Sequence, residues 1–195
     1  MIEPPERSPE RDGALDALVA VQPFPGWTIR ALQDAAGPDA DLLFPGGPLD
    51  MIEAHADLAD RRMLEGAEAG PVPARTHERV RELIALRLQQ TTPAKDAVRR
   101  ALGRLLGSAQ AGRLAAVQAR TVDAIWYAAG DRSADFSWYT KRALLGGVYA
   151  STLLFWLRDD SEDNAATLSF LDRRLDGVAR IGRLRGQLSR KGPPG

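Results

Sequence analysis

The sequence predicts an all-α protein built as a helical bundle. Patterns typical of strands are nearly absent: there are no alternating runs of Val, Ile and Thr, and no Asn-Gly or Asp-Gly hairpin joins such runs. Apolar residues instead recur at helical spacing, as at Val122, Ile125, Trp126 and Ala129. Gly and Pro separate these periodic segments, so we expect about nine helices, three of them short.

The three short helices come first. The first lies around residues 15–19 and ends at the segment QPFPG. The second begins at Thr28, whose hydroxyl can cap a helix, and ends at the glycine of AAGP. The third covers only residues 39–44, because PGGP closes it directly.

The remaining helices are longer. Clusters that break helices separate them: GPVP after residue 69, a Gly-containing stretch over 107–112, the turn GDRSAD, and an acidic stretch over 159–164. Pro93 suits the first turn of a helix, and Asp135 can cap another. The predicted ranges are 49–68, 74–90, 93–106, 114–129, 135–157 and 165–190.

Composition excludes several classes of function. The chain has a formal net charge of zero, which gives no overall attraction to nucleic acid. It has no cysteine and only two histidines, His55 and His77, so a metal centre or thiol chemistry is not expected. No nucleophile, base or metal ligand can be assigned, so an enzyme is the least favoured class. No apolar run approaches the ~20 residues that span a bilayer, and the N-terminus is neither a signal nor a transit peptide.

The order of the first four helices resembles the DNA-binding part of TetR-type regulators, where an AAG turn and an FP-containing junction occupy similar places. The third helix should read DNA, but PDADLL contains no Arg, Lys, Asn or Gln. Arg30 is the only cation in the segment 24–45, against three aspartates. We therefore expect a degenerate helix-turn-helix and no nucleic-acid partner. A helical hairpin unrelated to DNA binders remains open.

Aromatic residues are concentrated in one segment: eight of the twelve lie in the range from Trp126 to Trp156. Trp126 falls on a buried stripe, and the next helix carries an inner stripe that includes Tyr149, Phe155 and Trp156. Two interpretations stay open for Trp138 and Tyr139. They belong to the core, or they form an exposed contact patch of the kind that anchors interfaces beside arginine.

One long string in this segment is specific. The stretch DAIWYAAGDRSADFSWYTKRALLGGVYASTLLFWLRDDS, followed by FLDRRLDGVARIG, resembles the C-terminal domain of the CoQ-nine family, a lipid-binding accessory family of ubiquinone biosynthesis. The similarity is close over residues 122–182 and loose before them, through GWT, ALQDAAG and LFPGG. The family implies a TetR-like fold that has lost DNA binding.

The resemblance implies a non-enzymatic protein that binds isoprenoid quinone intermediates or phospholipid and delivers quinones to a demethoxyubiquinone hydroxylase. No cofactor is implied beyond this bound lipid. The implied lipid-binding residues are Trp126, Tyr139, Leu145, Gly146, Val148, Tyr149, Thr152, Phe155 and Trp156. The implied partner-binding residues are Asp135, Trp138, Tyr139, Lys141 and Arg142.

The implied organisation has four parts: a disordered N-terminus over 1–10, the degenerate helix-turn-helix over 11–46, a helical lipid-binding domain over 47–190, and a flexible tail over 191–195. The resemblance also implies a homodimer that is cytoplasmic and sits peripherally on the inner membrane of a bacterium. The basic C-terminal segment either contacts anionic lipid or forms a frayed, solvated tail. The alternative function is a TetR-type, ligand-responsive transcription regulator.

Overall fold

The computed structural model describes residues 3–70, 73, 75–130 and 136–190, without the side chains of 108, 136–138 and 181–190. It contains no strand in this part of the chain, which confirms the all-α prediction. The α-helices are α1 (Pro9–Ala20), α2 (Ile29–Ala36), α3 (Pro48–Ala69), α4 (Thr76–Thr91), α5 (Lys95–Leu105), α6 (Ala111–Ala128), α7 (Phe136–Trp156) and α8 (Ala165–Arg190). Short 3-10 helices cover Ala40–Leu43, Thr92–Ala94, Ser108–Gln110 and Glu162–Asn164.

Two side-chain caps define where the first helices begin. The backbone N–H of Ala31 donates to the Thr28 hydroxyl at 3.1 Å, which confirms Thr28 as the cap of α2. The backbone N–H of Arg11 donates to the Ser8 hydroxyl at 3.2 Å and caps α1 in the same way. The predicted cap Asp135 of α7 lies outside the described residues.

The prediction of a disordered N-terminus over 1–10 is wrong for its last four residues. Ser8 caps α1, which begins at Pro9, and Arg7 binds both carboxylate oxygens of Asp57 at 2.7 and 2.8 Å. Asp57 lies on α3 and is buried. A bidentate guanidinium–carboxylate pair of this kind orders the segment before the helix, which composition alone had suggested to be unstructured.

The N-terminal helices share one apolar cluster with α3 and α5. Its most buried side chains include Leu15, Leu18, Leu32, Phe44 and Met51. The indole N–H of Trp27 donates to the carbonyl oxygen of Ala97 on α5 at 2.9 Å. The N-terminal helices are therefore packed onto the rest of the bundle and not connected through α3 alone.

A second cluster forms the centre of the larger domain. Side chains from α3, α4, α6, α7 and α8 meet there, and Met63, Ile84, Ile125, Trp156 and Leu171 have no exposed surface. At one end, Asp159 precedes α8 and accepts hydrogen bonds from the backbone N–H and hydroxyl of Thr167. No helix among the described residues is both long and apolar enough to cross a membrane.

Candidate functional site

The inner stripe of α7 is packed as core. Leu145, Val148 and Tyr149 are at most 5% exposed, and Thr152 and Trp156 have no exposed surface. We predicted that these residues line a lipid pocket together with their neighbours. The structure places most of them against other side chains in the second apolar cluster, and only Tyr149 among these five lines a cavity described below. Helical spacing identifies an inward face but does not say whether that face meets a cavity or a packed core.

Gly146 allows α6 and α7 to approach closely. The side-chain amide of Gln118 on α6 donates to the carbonyl oxygen of Gly146 at 2.8 Å. A Cβ atom added at Gly146 would lie 3.2 Å from the Gln118 amide nitrogen. Gly146 therefore takes part in helix packing and not, in this structure, in a lipid surface.

Trp126 and Phe155, two further predicted lipid-binding residues, are less buried than the inner stripe. Trp126 is partly buried, and its indole N–H has no hydrogen-bond partner among the described residues. Phe155 is also partly buried and stacks on Phe170 of α8, with ring centroids 4.6 Å apart. The guanidinium groups of Arg173 and Arg174 lie over the Phe170 ring. Phe155 thus links α7 to the basic outer surface of α8.

The largely apolar opening that we call the end groove lies where α3, α4 and α6 come together. It has a volume of about 500 Å³, which is within the ~300–1,000 Å³ range of ligand pockets. Its polar groups are Arg79, Glu82 and Gln89, and its lining is Gly66, Ala67, Gly70, Pro73, Arg79, Glu82, Leu83, Leu86, Gln89 and Ala128. The sequence did not predict this groove, because its residues come from the end of α3, most of the length of α4 and the last residue of α6, with no shared motif.

Arg79, in the lining of the end groove, connects two segments of the chain. The Arg79 side chain donates to the carbonyl oxygen of Pro73 at 2.6 Å and to that of Ala129 at 3.4 Å. These two bonds connect the loop after α3 to the end of α6. Since α6 ends at Ala128 and α7 begins at Phe136, the groove and the predicted partner-binding segment occupy neighbouring stretches of the chain.

The predicted partner-binding residues are only partly described. Tyr139 is 71% exposed, so the structure favours the contact-patch interpretation for this ring. Arg142 is partly buried and pairs with Asp123 of α6 through its Nε. Lys141 is also partly buried. Asp135 and the side chain of Trp138 lie outside the described residues, and their roles stay predictions.

The buried ion pair of the larger domain lies between α3 and α4. Arg87 Nε donates to Asp60 Oδ1 at 2.6 Å, and the hydroxyl of Thr121 donates to the same carboxylate at 2.9 and 3.1 Å. Burial raises the pKa of the Asp60 carboxyl, while Arg87 and Thr121 oppose this rise. Burial alone would lower the pKa of Arg87, but the charge of Asp60 raises it, so the guanidinium stays charged. This polar pair faces an otherwise apolar interior.

No group of three or more His, Cys, Asp or Glu side chains in the described parts of the chain is arranged to hold a metal ion. The acidic side chains that are close together instead accept hydrogen bonds from arginines or cap helices, as Asp57 and Asp159 do. The described geometry thus comprises an apolar groove, two exposed tyrosine side chains and buried ion pairs.

The fold defines the class of the protein as a TetR-like helical bundle. The crystal structure of the TetR transcriptional regulator from Nitrosomonas europaea ATCC 19718 superimposes with a TM-score of 0.72 at 27% identity, covering 88% of this chain and 99% of that one. The predicted TetR-like architecture is therefore confirmed.

The resemblance to the CoQ-nine family is confirmed as well: residues 112–182 match the model of the COQ9 family. The mitochondrial ubiquinone biosynthesis protein COQ9 of Rattus norvegicus is 34% identical over 191 residues, which is 91% of this chain and 61% of the relative. The Homo sapiens protein of the same name is 31% identical over 191 residues, again 91% of this chain and 60% of the relative. The chain thus spans about three fifths of the length of these relatives.

Proposed function

We propose that this chain is a non-enzymatic, lipid-binding accessory protein of ubiquinone biosynthesis. In this proposal it binds an isoprenoid quinone intermediate and presents the ring to a demethoxyubiquinone hydroxylase at a membrane surface. Similarity to proteins named for ubiquinone biosynthesis supports the pathway. The end groove carries the binding part of the proposal, because it offers about 500 Å³ with a largely apolar lining.

Physical chemistry gives the reason for such a protein. A polyprenyl chain is almost insoluble in water, since each CH₂ group that leaves an apolar environment costs ~0.8 kcal/mol. An apolar groove lowers this cost while the quinone ring is exposed to the hydroxylase. Leu83, Leu86 and Ala67 supply such a lining, and Arg79 and Glu82 can face the more polar end of the lipid.

The bound lipid is tested by mass spectrometry of organic extracts from the purified protein. We expect an isoprenoid quinone intermediate or a phospholipid at a constant ratio to the protein. Preparations that stay free of lipid, and that take up no added quinone, would argue decisively against this function.

The partner surface is tested with the double variant Trp138→Ala, Tyr139→Ala. Because Tyr139 is exposed, we expect the variant to fold with an unchanged melting temperature and to lose association with the hydroxylase. Leu42→Ala is the matched control: Leu42 is 76% exposed on the degenerate helix-turn-helix, so its loss should leave association intact. Unfolding of the double variant would instead place the Trp138 ring in the core.

Homodimerisation and peripheral attachment to a bacterial inner membrane from the cytoplasmic side are parts of the same proposal. Leu144 and Leu154 are exposed on α7, and Leu154 adjoins the stacked Phe155. Exposed apolar side chains of this kind suit contact with a second copy of the chain. Sedimentation at several protein concentrations tests the dimer, and flotation with anionic vesicles tests the membrane contact.

The alternative, a ligand-responsive transcription regulator, is favoured by the solved TetR neighbour alone. The 3-10 helix Ala40–Leu43 occupies the position of a recognition helix and carries Asp41 and the exposed Leu42. A surface with this charge repels DNA phosphates. We therefore expect gel shifts with genomic fragments at low salt to show no retarded site, whereas strong retardation would favour the regulator.

A further inference from the structure

A second cavity lies between α3, α4, α5, α6 and α7, and it shares no lining residue with the end groove. This inner cavity has a volume of about 80 Å³. Most of its lining is aliphatic, and five of the lining side chains are polar. The lining is Ile52, His55, Ala56, Ala59, Arg87, Thr91, Val98, Ala101, Leu102, Leu105, Leu114, Val117, Thr121, Tyr149 and Leu153.

Three polar side chains in this lining keep hydrogen-bonding capacity. Among the described residues, no hydrogen bond joins the Tyr149 hydroxyl or the His55 ring to another group, both side chains line the cavity, and Tyr149 is only 4% exposed. Arg87, 6% exposed, uses Nε for Asp60 and Nη2 for the carbonyl oxygen of Ala56, which leaves Nη1. Buried polar groups are normally paired, so a cluster with free capacity around a cavity points to a ligand or water.

The charges around the cavity favour a neutral ligand. The positive charge of Arg87 is already balanced by Asp60 at 2.6 Å. Burial lowers the pKa of His55 to about 4, and the positive charge of Arg87 acts in the same direction, so the imidazole is neutral at pH 7. Burial also raises the pKa of Tyr149, which keeps its phenol protonated. A second carboxylate would lack a countercharge here, whereas a neutral oxygen can accept from these donors.

The inner cavity adjoins a larger opening, which we call the junction groove. Its volume is about 450 Å³, and His55, Ala59 and Thr91 line both spaces. The junction groove runs between α1, α3 and the end of α4, and the Arg62–Asp16 ion pair at 2.6 Å lies at its edge. The inner cavity alone is smaller than the ~150 Å³ that admits benzene. A ring therefore fits only if it extends from the inner cavity into the junction groove.

We propose that the inner cavity and the junction groove together bind a neutral, ring-bearing molecule that carries a phenol or carbonyl oxygen. The oxygen lies among His55, Arg87 and Tyr149, and the apolar body lies against Val19, Ala59 and Pro93 in the junction groove. The site is independent of the lipid proposed for the end groove, because the two share no residue. The two proposals can therefore be tested separately, and failure of one does not contradict the other.

The test uses the two histidines of the chain as reporters in proton NMR. Full-length protein is titrated with 4-methylphenol and, separately, with toluene, which has the same ring without the oxygen. We expect the imidazole resonances of His55 to shift and those of the exposed His77 to stay in place. We also expect 4-methylphenol to bind about tenfold more tightly than toluene, because its oxygen gains one or two hydrogen bonds that toluene lacks.

Tyr149→Phe removes one donor without changing the shape of the core. We expect the preference for 4-methylphenol to fall to about a third of its wild-type value, while Tyr127→Phe leaves it unchanged because Tyr127 is 82% exposed. Ala20→Phe is a second variant, which fills the junction groove from an exposed position and should abolish the His55 shift. Ala115→Phe, on an exposed face of α6 away from the site, should not.

Two results would overturn the site. One is a His55 resonance that does not move at millimolar 4-methylphenol. The other is an equal response to toluene that neither Tyr149→Phe nor Ala20→Phe changes. If the site exists, 4-decylphenol then separates a free ring from the head of a lipid: clearly tighter binding than 4-methylphenol indicates a ligand with a tail, and equal or weaker binding indicates a free ring.

Discussion

His55 shows at the scale of one residue how burial and function are connected in this protein. It lies on α3, where its ring contacts the Trp27 ring edge-to-face with centroids 5.3 Å apart. The neighbouring Arg87 and the apolar surroundings both disfavour a charged imidazole. The same surroundings that keep His55 neutral also keep it available as a hydrogen-bonding group beside the inner cavity.

This burial makes the free energy of unfolding depend on pH. The pKa of His55 is about 4 in the folded chain and near its usual 6.5 in the unfolded chain. Between these values the unfolded chain binds a proton that the folded chain does not, so stability present above pH 6.5 is lost as pH falls toward 4. We expect the contribution of His55 to the free energy of unfolding to fall by about 2 kcal/mol between pH 7.5 and pH 5. Urea denaturation at both values measures it.

Two variants test whether His55 causes this pH dependence of the free energy of unfolding. His55→Phe keeps an aromatic ring against Trp27, and we expect its stability to change less over this pH range than that of the wild type. His77→Phe removes an exposed ring, so its pH dependence should equal that of the wild type. If all three proteins lost the same free energy, His55 would not be the titrating group.

At the scale of the element, α7 has one face that packs in the core and one face that is exposed. Its inner face is core, and its outer face carries the exposed Tyr139, Leu144 and Leu154. Two adjacent glycines lie on different faces: Gly146 is buried against Gln118, whereas nothing lies within 4 Å of a Cβ added at Gly147. Only one of the two is required for helix packing.

These glycines give a matched pair of substitutions. Gly147→Ala should raise the free energy of unfolding by about 0.5–1 kcal/mol, because alanine restricts the unfolded chain and nothing opposes the new methyl group. Gly146→Ala should gain less or lose stability, since its methyl group meets the Gln118 amide at 3.2 Å. Thermal and urea denaturation measure both. A larger gain for Gly146→Ala would contradict the close contact of α6 with α7.

The sequence predicted these elements because their ends carry local chemistry. Thr28, the GPVP segment and the Gly-containing stretch before α6 determine helix boundaries without help from distant residues. The inner stripe of α7 was also predicted correctly as an inward face. What the stripe faces depends on the sizes of side chains from four other helices, and spacing along one helix does not contain that information.

At the scale of the whole molecule, the openings lie between helices that are distant in sequence. The end groove uses residues from Gly66 to Ala128, and the junction groove combines α1 with Pro93. The ordered start of the chain depends in the same way on a distant partner, since Arg7 finds Asp57 fifty positions later. Such contacts follow from the tertiary arrangement, so neither groove nor the ordered residues 7–10 could be predicted from local patterns.

The central claim is that the apolar groove between α3, α4 and α6 holds an isoprenoid chain. Native mass spectrometry of delipidated protein incubated with geranylgeraniol tests it most directly, with Leu86→Glu compared with the wild type. Leu86 is partly buried and lines the end groove, so a carboxylate there should reduce the bound fraction at least tenfold. Leu42→Glu makes the same change at an exposed position and should bind like the wild type. Equal binding by all three proteins, each with an unchanged melting temperature, would contradict the account.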